Sequence, residues 1–121
     1  MPADDPVNLS HGRQAEDLAR RHLGRNGLKF LQSNYRCPFG EIDLVMLDGD
    51  TIVFVEVRYR ARADFGAPAE TVDARKQGRL RATAAHFLQR ERWASKKPCR
   101  FDIVAVTGAG TDSLRWLQNA F

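Results

Sequence analysis

The stretch from Gly40 to Arg60, GEIDLVMLDGDTIVFVEVRYR, limits what this chain can fold into more than any other. Asp48-Gly49-Asp50 is a tight-turn signal between two apolar runs rich in Val and Ile, Ile42 to Leu47 and Ile52 to Val57, so the stretch reads as a β-hairpin. A two-residue loop at Gly49-Asp50 pairs Asp48 with Thr51. Counting back along that ladder sets Asp43 opposite Glu56 and Glu41 opposite Arg58. A loop at Asp48-Gly49 would set Asp43 opposite Phe54 instead, with the two carboxylates still on one face. Val53, Val55 and Val57 fall on one side of the strand, Ile52 and Phe54 on the other. A sheet that is apolar on both faces needs cover on both.

Two carboxylates so placed repel by about 3 kcal/mol at roughly 5 Å and an effective dielectric near 20. Their neighbours Leu44, Val45, Phe54, Val55 and Val57 dry the surroundings and worsen the repulsion. A shared proton, a cationic side chain or a divalent metal would each relieve it. Arg58, two residues after Glu56, puts a cation within reach. The arrangement reads as a site; the structural alternative is a neutralised cluster of Glu41, Asp43, Glu56 and Arg58 that pins the hairpin.

Around this centre the pattern predicts a helix from an N-cap at Ser10 to Asn26-Gly27, with Met1–Leu9 a loose tail. Its apolar stripe is Ala15, Leu18, Ala19, His22 and Leu23, and Glu16 lies on the edge of that stripe. Glu16 therefore faces the interior edge or serves the helix dipole as a first-turn acid. Leu28–Arg36 reads as a short edge strand and Cys37-Pro38-Phe39-Gly40 as the turn into the hairpin. Ala61–Glu70 has no periodicity and reads as a mobile loop leaving the site. A second helix is expected from Thr71 to Trp93, with Leu80, Ala84, Phe87 and Leu88 buried and Arg75, Arg79, His86 and Arg90 on a basic stripe. Lys76, four residues before Leu80, borders the buried face. Cys99–Val106 is a strand in which Asp102 is expected to be structural, Thr107–Ser113 a Gly-rich turn, and Leu114–Leu117 a last strand. The order is helix, three strands, helix, two strands: a single α/β domain with helices flanking a mixed central sheet.

At 121 residues one core is affordable, and no apolar run approaches the roughly 20 residues of a membrane span. The N-terminus has no signal-peptide pattern, and Cys37 and Cys99 form no CxxC, so a cytoplasmic protein is expected. Charge is uneven: residues 58–100 hold twelve Lys/Arg against four acids, and the rest of the chain seven against eleven. A basic half beside an acidic pair points to a polyanion, phosphate above all, although a solvated helix face has the same composition. No nucleophile elbow, zinc-ligand spacing or phosphate-binding Gly-rich loop is present. What remains is an oxygen-ligand set suited to Mg²⁺ or Mn²⁺ acting on a phosphodiester.

The Asp that ends one strand and the Glu-x-basic sequence on its hairpin partner resemble the PD-(D/E)xK nuclease superfamily. The chain is more closely similar to the YraN family, related to archaeal Holliday-junction resolvases. The resemblance rests on Gly12-Arg13-Gln14-Ala15-Glu16, Asn34-Tyr35-Arg36, Gly40-Glu41-Ile42-Asp43-Leu44-Val45, Phe54-Val55-Glu56-Val57-Arg58, Arg100-Phe101-Asp102 and Asn119-Ala120-Phe121. It implies a restriction-endonuclease-like core in which Asp43, Glu56 and the Val57 carbonyl bind the metal, with Glu16 binding directly or through water. It also implies hydrolysis of DNA, branched or junction DNA included, by a homodimer matched to a two-fold junction.

The sequence departs from the superfamily at Arg58, where a Lys is expected. Arg does not give up its proton near neutral pH, so it can hold a phosphate but is a poor base. Lys76 could supply the missing amine. Arg58, Arg60, Arg62, Arg75, Lys76 and Arg79 are the candidate nucleic-acid contacts. Two other readings stand beside the nuclease: a nucleic-acid-binding module that has lost catalysis, and a protein-interaction subunit whose basic helix meets an acidic partner.

Overall fold

The computed structural model describes residues 7–60, 72–107 and 114–121, with the side chains of residues 7–11 and 60 outside the description. Helix α1 (Val7–Arg25) is followed by strands β1 (Lys29–Cys37), β2 (Gly40–Asp48) and β3 (Thr51–Arg60). Helix α2 (Ala74–Arg90), a 3₁₀ turn (Arg92–Ala94) and strands β4 (Cys99–Thr107) and β5 (Leu114–Leu117) complete the chain. The five strands lie in sequence order in one mixed sheet. β1–β2, β2–β3 and β4–β5 are antiparallel and β3–β4 is parallel, because α2 carries the chain back across the sheet. The expected α/β arrangement of helix, three strands, helix, two strands is present.

Each helix covers one face. Ala15, Ala19 and Leu23 of α1 pack on Leu44, Met46, Val53, Val55, Val104 and Val106. Leu80, Ala84 and Phe87 of α2 pack on Val45, Ile52, Phe54 and Ile103. The alternation read from β3 decides this: odd residues face α1, even ones α2, and Glu56 therefore continues the α2 face. Burial of Leu80 and Phe87 stabilises that contact by roughly 1.5–3 kcal/mol each.

The helix boundaries differ from those expected. α1 starts at Val7, so Ser10 lies within the helix rather than capping it, and only residues 1–6 of the expected tail lie outside the description. Its other end is as read: Gly27 takes φ 94°, and Leu28 N–H bonds Leu23 O while Gly27 N–H bonds Gly24 O, satisfying carbonyls the helix leaves open. α2 starts at Ala74 because Asp73 caps it, its carboxylate accepting from Lys76 N–H at 2.9 Å. It ends at Arg90, where Glu91 breaks the backbone, and Trp93 falls in the 3₁₀ turn with half its surface exposed. The expected mobile loop at Ala61–Glu70 and most of the Gly-rich turn after Thr107 lie outside the described residues.

Candidate active site

The hairpin loop is Gly49-Asp50, and Asp48 pairs with Thr51 as the first of the two registers requires. The ladder runs up to Leu44↔Val55 and stops one step short of Asp43 and Glu56. Asp43 does not continue it. Its Oδ2 instead accepts the Val57 N–H at 2.8 Å, a side chain taking a place beside a backbone strand. The β1–β2 ladder shifts register between Phe30 and Gln32; at the level of Asp43 it keeps its register from Ser33↔Leu44 to Tyr35↔Ile42 but skips Asn34, which takes φ 53°. Leu44 packs toward α1, yet Ile42, two residues away on the same strand, packs toward α2. Residues two apart on a regular strand share a face, so β2 turns over at Asp43. Asp43 keeps its place in the wall of a cavity while its carboxylate turns to the β3 backbone, where a regular strand would leave it standing off the sheet.

Glu56 is 5% exposed. Two cations reach its Oε2: Lys76 Nζ at 3.3 Å from the first turn of α2, and Arg58 Nε at 3.6 Å from two residues along β3. The Lys76 border position read from the sequence thus puts its amine at the acidic pair. Burial, and then the Glu56 charge, push the Asp43 carboxyl up to about 8 from an ordinary 3.8, against the opposing pull of the Val57 N–H. Gly40, Glu41, Asp43, Glu56, Lys76, Arg79 and Leu80 line a cavity of about 340 Å³. It lies on the α2 side of the sheet.

Glu16 comes from the other side. Asn34 Nδ2 lies 3.4 and 3.3 Å from its two carboxylate oxygens. Burial raises its pKa, the Asn34 contact lowers it, and the charges of Glu41 and Glu56 raise it further. Glu16 is therefore held at the level of Asn34, where the β2–β3 ladder ends, and its field reaches Asp43. Glu41 pairs with Arg36 of β1 at 3.0 Å. Of the cluster considered as a structural alternative, Arg58 lies on Glu56, and Glu41 has Arg36 as a partner.

Arg75 and Arg79 are exposed on α2, as a nucleic-acid face requires, whereas Arg62 and the Arg60 side chain lie outside the described residues. Asp102 is fully buried, takes Arg100 Nε, Trp116 Nε1 and Asn119 N–H, and ties β5 and the C-terminus to β4. Asn34 is the residue that sequence reasoning did not assign to the site. An Asn inside a strand-like run, where its propensity is poor and its tolerance of positive φ is high, was the available signal.

The donor chemistry fits a hard divalent cation. Asp43 and Glu56 offer carboxylate oxygens, and Asp43, raised first by burial and then by the Glu56 charge, is a group whose ionised form a bound cation would favour. Among the described residues no three His, Cys, Asp or Glu side chains converge as a ready-made cage. Among the described residues no helix is long and apolar enough to cross a membrane.

The sequence profile of the uncharacterised protein family UPF0102 matches residues 15–106, which include every element of this site. A UPF0102 protein of Ectopseudomonas mendocina (strain ymp) is 55% identical over 111 residues, covering 91% of this chain and 92% of the relative. One of Pseudomonas fluorescens (strain Pf0-1) is 52% identical over 118 residues, covering 97% of each. Another, of Pseudomonas putida (strain GB-1), is 50% identical over 123 residues, covering 100% of this chain and 98% of the relative. The chain belongs to the uncharacterised protein family UPF0102, the YraN family to which its motifs pointed.

Proposed function

We propose that the Asp43–Glu56 end of the sheet hydrolyses phosphodiesters of DNA, branched or junction DNA included, with Mg²⁺ or Mn²⁺. The observation that carries this reading is the acidic pair itself, Glu56 buried and Asp43 half-buried. A carboxyl pushed up to about 8 beside a buried acid is an unfavourable arrangement for the fold alone, and it opens on a cavity that also holds Lys76 and Arg79. Asp43 and Glu56 would hold the cation with the Val57 carbonyl, and Glu16 directly or through water. When bound, the cation supplies Lewis acidity, which lowers the pKa of water and neutralises charge on the phosphate.

The chain's own residues do the rest. The Val57 N–H fixes the rotation of the Asp43 carboxylate. Lys76, with its amine at the acidic pair, is placed to meet the scissile phosphate or take a proton from the attacking water. Arg58, permanently charged, binds phosphate and takes no proton. Arg75 and Arg79 contact the flanking backbone, and a homodimer would match a two-fold junction.

One observation favours a second reading, a binding module without catalysis. Lys76 and Arg58 already compensate Glu56. Calorimetry with Mg²⁺ and Mn²⁺, with and without junction DNA, separates the two when run on wild type and on Asp43→Asn/Glu56→Gln. The nuclease reading expects metal binding that the double variant abolishes, and cleavage that falls about 10²–10⁴-fold in Lys76→Ala. Absence of metal binding even with DNA present refutes it, and unchanged cleavage in Lys76→Ala refutes the role given to that amine.

A further inference from the structure

Only two large apolar side chains among the described residues stand open to solvent, Phe39 at 54% exposure and Trp93 at 50%. Trp93 Nε1 donates to the Glu91 carboxylate on the 3₁₀ turn. Phe39 is placed differently. It occupies the two-residue turn Pro38-Phe39 between β1 and β2, and the next two residues, Gly40 and Glu41, are walls of the candidate cavity.

The ring is held in place. It meets His86 edge-on, with centroids 6.3 Å apart and planes at 72°. His86 Nδ1 is hydrogen-bonded to the Tyr35 hydroxyl, and the buried Tyr35 ring packs edge-on against Phe87 at 5.2 Å. Phe39 is thus the outer end of an aromatic row anchored in the core, with more than half its surface free. Beside it stand Arg36, exposed and paired with Glu41, and the cavity that Gly40 shares with Lys76 and Arg79. A held, open ring next to a cavity with cationic walls has the parts of a single-strand binding platform, where phosphates meet the cations and a base stacks on the ring.

We infer that Phe39 stacks an unpaired nucleobase of the strand whose phosphate enters the Asp43–Glu56 cavity, giving the site a preference for nucleic acid with unpaired bases over continuous duplex. This rests on the nucleic-acid reading proposed above and deepens it. A base inside a duplex already has both faces stacked and gains nothing from Phe39. A second copy of this chain would also cover an exposed Phe, but Lys76 and Arg79 in the adjoining cavity favour a polyanion.

The test uses oligonucleotides carrying 2-aminopurine, either single-stranded and branched or fully paired, in Ca²⁺ buffer, with the full-length protein and its Phe39→Ala, Phe39→Leu and Phe39→Trp variants. Anisotropy and 2-aminopurine quenching are read together. Wild type is expected to bind the unpaired probes more tightly and quench them. Phe39→Ala and Phe39→Leu should each lose about 5- to 100-fold on the unpaired probes with duplex affinity unchanged, and Phe39→Trp should retain both. Equal affinity of wild type and Phe39→Ala for the unpaired probes overturns the inference while leaving the nucleic-acid reading intact. Equal loss on all probes, together with loss of self-association in sedimentation, overturns it in favour of a dimer contact. Failure of wild type to bind any probe overturns both this inference and the reading beneath it.

Discussion

The acidic pair should make the protein less stable as pH rises, and one isosteric change should remove most of that dependence. Asp43 titrates near 8 in the fold and near 3.8 when the chain is unfolded. Between these values the folded state holds a proton that the unfolded state has released, so stability falls as pH rises through that window and levels off above about 8. Four pKa units correspond to about 5 kcal/mol, and Lys76 and Arg58, already on Glu56, should offset part of it as the second charge appears. A loss of about 2–4 kcal/mol between pH 5 and pH 9 is expected, a large share of the roughly 5–15 kcal/mol of a domain this size. Asp43→Asn keeps an oxygen to accept the Val57 N–H and cannot ionise.

Urea denaturation in chelator-treated buffer at pH 5, 7 and 9 measures the effect. At pH 5 the two proteins should be equally stable within about 1 kcal/mol; at pH 9 the variant should be ahead by ~2–4 kcal/mol, or about 4 °C in Tm for each kcal/mol. Glu16, raised mainly by burial, should leave the variant a weaker residual slope. Mg²⁺ at pH 9 should then restore wild type alone, by ~2.7 kcal/mol at a hundred times its Kd. Parallel pH profiles of wild type and Asp43→Asn would refute the argument, because the carboxyl would then ionise in the fold as easily as outside it.

Two further outcomes follow from packing. Asp102→Ala removes the acceptor of Arg100 Nε, Trp116 Nε1 and Asn119 N–H from a fully buried position, and denaturation should show a loss of about 3–5 kcal/mol. Gly40→Ala puts a Cβ 3.2 Å from the hydroxyl of Thr83, which is fully buried and bonded to Arg79 O, at a backbone φ of 153°. A loss of about 1–3 kcal/mol is expected, and no change in the urea midpoint would show that α2 yields freely at this wall of the cavity.

Much of the architecture was legible because few physical rules governed it. Alternation in β3 assigned each side chain to a helix-covered face, and the Asp48-Gly49-Asp50 turn allowed two registers, of which the observed one was the first considered. Helix boundaries were less legible. A Ser with a plausible capping position stands within α1, while the true cap of α2, Asp73, lay inside the expected helix. Capping is a contest among several eligible residues, and tertiary packing decides it.

The site was legible as composition but not as geometry. A regular ladder would have placed Asp43 and Glu56 as a cross-strand pair, each side chain standing off the sheet and open to the same face. The chain instead ends the β2–β3 ladder at this level, with Asn34 skipped in a left-handed conformation on β1 and Asp43 bonding the β3 backbone. No periodicity encodes such a break, because each residue on either side remains a good strand former. Its consequence is chemical. Asn34 turns toward Glu16 of α1, Asp43 turns toward the α2 cavity, and acids from opposite sides of the sheet come to influence one another. Lys76 then enters from α2 because Asp73 starts that helix three residues before it. The amine that β3 lacks at Arg58 is thus delivered by a helix cap on the facing layer, so loss of the Asp73 cap should disturb the site even though Asp73 itself does not line it.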